Sequence, residues 1–339
     1  MRSGLIRYML LALTLGCASC SEDESLPIAN DSGVTFELAV AGEGENANPT
    51  GDPQLTRLFV AERKPGYDEK LYCDKSYLIE GNHLKVDHLY EQWYKFAFFH
   101  VPAIEANTMG DKLFEYTTVG DGKNEFYDMK LDYAPLLDYQ KNLNDACTHN
   151  LSVYRKIVDR WINADVPASE NVIMERITGL LILNMGKPAD QFYTKGKGAV
   201  TSMDLTISTF PQCYLRDKGN GEVIADDKTK QEFTFTWKVA ADQQLTPQEL
   251  PVMLLPGVIE GTVTVHFANT QDVEVYTLQT RGEGNEKDKP VEIKPNRRTI
   301  VLFNGISSDY FEIRYAGFED GNDSVVDVDD DNWDGIEQL

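Results

Sequence analysis

The side chains able to do chemistry in this chain are five cysteines, five histidines and 55 carboxylates among 339 residues. Two of the cysteines, Cys17 and Cys20, close a short leader in which Arg2 and Arg7 frame the start of an apolar run over residues 8–16. Such a run suits a signal-peptide core and falls far short of the roughly 20 residues a membrane-spanning helix needs. A cysteine directly after small residues, as Cys20 follows Ala18 and Ser19, points to acylation. A peptidase cuts before the cysteine, its thiol takes diacylglycerol, and the new amino terminus takes a further acyl chain. One chain binds a membrane marginally, whereas two or more anchor it stably. Cys20 is the candidate for lipid attachment, and Cys17, preceded by Leu15 and Gly16, is the alternative.

The remaining groups offer less. Cys73, Cys147 and Cys213 show no CxxC or other metal spacing, and three thiols cannot all pair. A single bridge is allowed in an oxidising compartment, and at least one buried free thiol is expected. His83, His88, His100, His149 and His266 are scattered with no i, i+4 ligand pair, so structural histidines are expected at His88 and His100. There is no HExxH, GxSxG, P-loop or dinucleotide fingerprint, and the carboxylates show no spacing that singles out a catalytic pair. The expectation is a non-catalytic protein without a cofactor. Asp330, Asn332 and Asp334, followed by Gly335, have the order of a calcium loop. The bidentate Glu that such a loop needs at position 12 would lie past Leu339. A solvated acidic tail is therefore the competing reading of those three residues.

Charge narrows the partners. The formal net charge of −23 repels phosphate backbones and anionic headgroups, which argues against nucleic-acid binding. Without residues 1–19 roughly 320 residues remain, enough for two domains.

The elements that must position these groups read mainly as strands. Residues 34–40 alternate so that Val34, Phe36, Leu38 and Val40 share one face. Residues 57–63 form the next strand, with Arg57 at its start. Residues 93–101, WYKFAFFHV, are continuously apolar, as in a strand buried on both faces, with Trp93 in the core. Leu151, Tyr154, Ile157, Val158, Trp161 and Ile162 recur with helical spacing, predicting a helix over 150–163, the only one in the mature chain. One long strand is predicted over 172–185, followed by alternating strands around 203–207, 233–239 (with Trp237 inward), 263–267, 273–275, 300–302 and 311–315. Short strands separated by turn clusters argue for β-sandwiches. The expected plan is mainly β, with two tandem antiparallel Greek-key sandwiches and one helical insertion. It divides into a signal peptide (1–20), an acidic tether (21–32), an N-terminal sandwich (33–168), a C-terminal sandwich (169–320) and an acidic tail (321–339).

Ser21-Glu22-Asp23-Glu24 directly after Cys20 resembles the surface-export signal of lipoproteins from Bacteroidetes-type bacteria. Asp323-Ser324-Val325 resembles the O-glycosylation acceptor of such bacteria, making Ser324 a candidate site; an exposed turn explains it equally well. Three further stretches resemble the fimbrillin superfamily of Bacteroidales: the 56–60 strand TRLFV, the Tyr94-Lys95-Phe96 strand ending at Pro102, and Glu175-Arg176-Ile177-Thr178-Gly179-Leu180. The resemblance spans nearly the whole chain and implies two transthyretin-like sandwiches and a place in fimbrial assembly, anchoring or adhesion. It also implies lipid attachment to the outer membrane at the cell surface, with fimbrial subunits as partners through strand complementation and host or bacterial surface glycans or proteins as targets. In shaft subunits of that family an Arg-specific protease removes the first strand and a neighbour's tail fills the groove. This chain departs from that plan, since residues 41–56 hold no Arg or Lys and the tail carries six aspartates between Asp323 and Asp334. Both departures favour an anchor or accessory subunit. The alternative is a surface glycan-binding lipoprotein, which requires exposed Trp and Tyr.

Overall fold

The computed structural model describes residues 33–41, 54–64, 66, 70–103, 113–115, 118–119, 123–146, 149–163, 166–185, 196–219, 221–240, 248–280, 289–303 and 312–317. Strands dominate, as expected. The first half holds β1 (Val34–Val40), β2 (Gln54–Arg63), β3 (Leu71–Ile79), β4 (His83–Val86), β5 (Trp93–Pro102), β6 (Phe114–Glu115), β7 (Thr118–Val119), β8 (Lys123–Glu125), β9 (Lys130–Asp132), β10 (Tyr154–Trp161) and β11 (Ala168–Arg176). The second holds β12 (Gly179–Met185), β13 (Val200–Thr209), β14 (Gln212–Asp217), β15 (Val223–Ala225), β16 (Gln231–Lys238), β17 (Glu249–Leu254), β18 (Gly257–Phe267), β19 (Glu274–Thr280), β20 (Lys289–Ile293), β21 (Arg297–Phe303) and β22 (Glu312–Gly317).

Nine strands form one sheet in the order β4-β1-β11-β10-β5-β2-β3-β8-β7. Only two residue pairs join β10 to β11, and there the sheet turns over on itself. Phe36 of β1 consequently meets Phe96 and Phe98 of β5, each at 4.9 Å between ring centroids, although β1 and β5 are not neighbours in the sheet. Even-numbered β5 residues enter this folded-over core, while Ala97, Phe99 and Val101 enter a second, larger one. Coverage of both faces is what the uninterrupted apolarity of this strand demands. In the second half a four-stranded sheet, β17-β12-β21-β22, and a five-stranded sheet, β16-β13-β18-β19-β20, enclose that larger core. The result is two successive β-sandwiches. Neither is wholly antiparallel: β1 pairs parallel with β11, and β12 parallel with β21.

Three expectations are corrected. Residues 150–163 are not a helix: Tyr154–Trp161 is strand β10, paired with β5 over eight residues. Apolar side chains lie on both faces, Tyr154 and Val158 in the first core and Ile157 against the second, so the period of two that would mark a strand is lost. The helices lie upstream, at α1 (Ala134–Tyr139), with Pro in its first turn, and α2 (Leu143–Ala146). Second, the strand expected over 172–185 is two strands broken at Ile177 and Thr178. A Cβ on Gly179, just past the break, would lie 2.4 Å from the Lys294 carbonyl oxygen, so only glycine lets these backbones meet. Third, pairing does not divide near Ala168. Strand β11 belongs with β1 and β10, while β9 and β6 pair into a small sheet with β14 and β15 of the second half.

The two short helices clamp the halves together. Gln140, 2% exposed, donates to the carbonyls of Leu136 and Met253 and accepts from the Met253 amide at 2.7 Å. Asn144 bonds both backbone groups of Lys238, and the Thr236 amide donates to the Lys141 carbonyl.

Candidate functional site: the first strand and its groove

Alternation in β1 turns Val34, Phe36 and Leu38 inward, at 0%, 0% and 8% exposure. The strand is interior to the sheet, in a parallel ladder of seven residue pairs with β11 and an antiparallel one of four pairs with β4. The groove is lined by Val86, Tyr94, Phe96, Phe98, Val158, Val172 and Met174. Emptied of β1, it would expose this apolar floor and two unpaired strand edges, which an added strand could satisfy.

Arg57 sits elsewhere than expected. Strand β2 begins at Gln54, so Arg57 is its fourth residue rather than its first. Its backbone is paired with Leu78 of β3 on one side and Phe99 of β5 on the other, and its guanidinium reaches Ser76. A protease needs several residues of extended, unpaired chain, and Arg57 lies in the middle of a sheet instead.

Other expected sites fare differently. Trp237 is core, 1% exposed, whereas Trp93 is 56% exposed, and Trp161 opposite it is 45% exposed. Trp93 reads as core because it opens an apolar run, yet the second half that covers Ala97, Phe99 and Val101 does not reach it. The two rings therefore form a pair at the surface. Cys73 and Cys213 are buried free thiols, each pushed up to about 12 by burial, which leaves them protonated and unreactive. Among the described residues no group of three or more His, Cys, Asp or Glu could hold a metal. Cys17, Cys20, Cys147, Ser324, Asp330, Asn332 and Asp334 lie outside the described residues.

The histidines are indeed apart. His83 pairs with Glu37 and His266 with Asp204, His149 lies 3.2 Å from the Tyr139 hydroxyl, and His88 takes a left-handed backbone, φ 59°. His100 is held by Thr56 Oγ1 at 2.9 Å, and burial pushes it down to about 4. The unfolded chain binds this proton near pH 6.5 and the native fold does not, so acid favours unfolding. Stability contributed by neutral His100 is complete above about pH 6.5 and falls as pH drops towards 4, by roughly 3 kcal/mol in total. His100→Gln is expected to flatten the stability profile over that window, as read by urea unfolding at successive pH values.

A cleft of about 640 Å³ between the halves is lined by Arg155, Lys156 and Arg176 against Glu175, Asp217 and Glu222. The Arg155 guanidinium donates to the carbonyls of Arg216 and Gly221, Lys156 pairs with Glu175, and Asp217 accepts from the amides of Gly219 and Gly221. These contacts tie Arg155 of β10 to the chain around β14 and β15, so the polar lining of the cleft also joins the halves.

No family model and no curated protein matches this sequence. Solved structures do. A candidate polysaccharide-binding protein of Bacteroides thetaiotaomicron is 11% identical, with a TM-score of 0.49, over 85% of this chain and 96% of its own. A candidate cell-adhesion protein of Bacteroides eggerthii is 12% identical, with a TM-score of 0.46, over 86% and 96%. The tip fimbrial protein Mfa3 of Porphyromonas gingivalis is 10% identical, with a TM-score of 0.41, over 84% and 98%. The chain is therefore similar in its overall run to structures of Bacteroidales adhesins and a fimbrial tip protein, at scores that leave any functional reading to the strand and its groove.

Proposed function

We propose that this chain is a non-catalytic, fimbrillin-like surface protein, lipid-anchored at Cys20, that anchors or accessorises a fimbrium or acts in adhesion, and that it keeps its first strand. The observation carrying this reading is β1 seated in its own groove, with the first basic residue after it, Arg57, held inside a three-strand ladder. A subunit whose groove is already filled cannot accept a donor strand, so it ends a strand-exchange series instead of extending it. The absence of Lys and Arg over residues 21–56 keeps any lipid on Cys20 joined to β1. Intact-mass and terminal analysis of the membrane-extracted protein tests this. An acylated terminus at Cys20 with residues 34–40 retained supports it, and a new terminus at Leu58 would instead make the chain a polymerising subunit.

A further inference from the structure

We propose that Trp93, Trp161 and Val166 form a seat that rests on the bilayer interface and fixes how the protein stands on its membrane. This rests on the lipid-anchor reading above. Strand directions bring the seat and the tether to one end of the first sandwich. Strand β1 starts there, with Val34 paired to Ala168 at the start of β11 and to Val86 at the end of β4. Strand β10 runs opposite to β11 and ends at Trp161, opposite Trp93 at the start of β5. The Ala168 amide donates to the Gly33 carbonyl, and the Ile162 amide to that of Gln92, closing this end. Residues 21–32 between Cys20 and this end span at most roughly 40 Å when fully extended, so the end from which the tether leaves is the one nearest the lipid.

The chemistry of the seat suits that position. Trp93 and Trp161 are half exposed, their ring centroids 6.0 Å apart, and Val166 in the following turn is 58% exposed. Tryptophan combines a large apolar ring with an N–H donor and collects at membrane–water interfaces for that reason. The next residues inward on the same face, Lys95 and Asp159, form an exposed ion pair, so the apolar surface stops one step above the rim. Tethering makes contact intramolecular, and a weak surface affinity then suffices to populate it. Two other occupants fit less well. The rings meet at 70° and so offer no common plane for a run of sugar rings, and a net charge of −23 opposes a second copy of the chain as it does an anionic lipid surface, but not a zwitterionic one.

The test uses the full acylated chain, extracted from membranes and reconstituted in phosphatidylcholine vesicles, with and without bromines on the acyl chains near the headgroups. The expected result is that the protein floats with the vesicles and that brominated lipid quenches its tryptophan emission. W93S/W161S should float equally and lose that quenching. A wild-type chain that floats but is not quenched overturns the seat while the anchor stands, and this comparison needs no variant. Equal quenching of wild type and W93S/W161S also overturns it. Failure to float removes the anchor reading and the seat with it. Unquenched protein whose soluble body binds a polysaccharide through Trp93 and Trp161 would give the pair to glycan instead.

Discussion

Phe36→Ala is expected to destabilise the protein by about 3–5 kcal/mol, the usual range for truncating a fully buried phenylalanine. The ring is completely buried and touches Phe96 and Phe98 edge-on or tilted, each at 4.9 Å. Because the strand carrying it is held by ladders on both sides, the site cannot collapse around the lost volume without moving β4 or β11. Phe36→Leu keeps most of that volume and is expected to cost under about 1.5 kcal/mol. Urea unfolding midpoints for the two variants separate these values. Phe36→Ala should also loosen β1 enough that a synthetic peptide of residues 34–40 competes for the groove, read as restored stability on adding the peptide. A loss of only about 0.5 kcal/mol, the scale of an ordinary surface substitution, would mean that β1 is dispensable and that its retention says nothing about the protein's role.

The second large effect is expected at Gln140. Its amide satisfies both the N–H and the C=O of Met253 from 113 residues away, in a setting only 2% exposed. Gln140→Leu preserves the bulk but leaves those two backbone groups buried and unpaired, each costing about 1–3 kcal/mol. The combined loss is therefore roughly 2–6 kcal/mol, with faster hydrogen exchange at the Met253 amide as its local signature. Gln140→Leu with unchanged stability and unchanged exchange would show that water enters the joint between α1 and β17, and that the helical clamp is not what holds the halves together.

Local alternation made much of the fold legible. The inward face of β1, the two-sided burial of β5 and the alternating strands of the second half follow from side-chain order alone, since a strand with one or two covered faces prints that coverage on its sequence. The same rule explains the largest error. Strand β10 carries apolar residues on both faces, Tyr154 and Val158 on one and Ile157 and Trp161 on the other, so they lost the period of two and fell by chance into helical spacing. The true helices, α1 and α2, are too short to show any period. Gln140 gave no signal, because a buried glutamine differs from an exposed one only in partners that lie more than a hundred residues away.

By itself, the sequence determined which face of the first strand turns inward and that no basic residue separates Cys20 from Arg57. Tertiary structure decided what those facts are worth. Whether Arg57 is accessible depends on β3 and β5 pairing along both its sides, and whether Trp93 is core or surface depends on how far the second half extends over the first sheet. Both are settled by segments distant in the chain: composition and spacing describe what a residue could bury, while the packing of remote strands sets what is left to cover it.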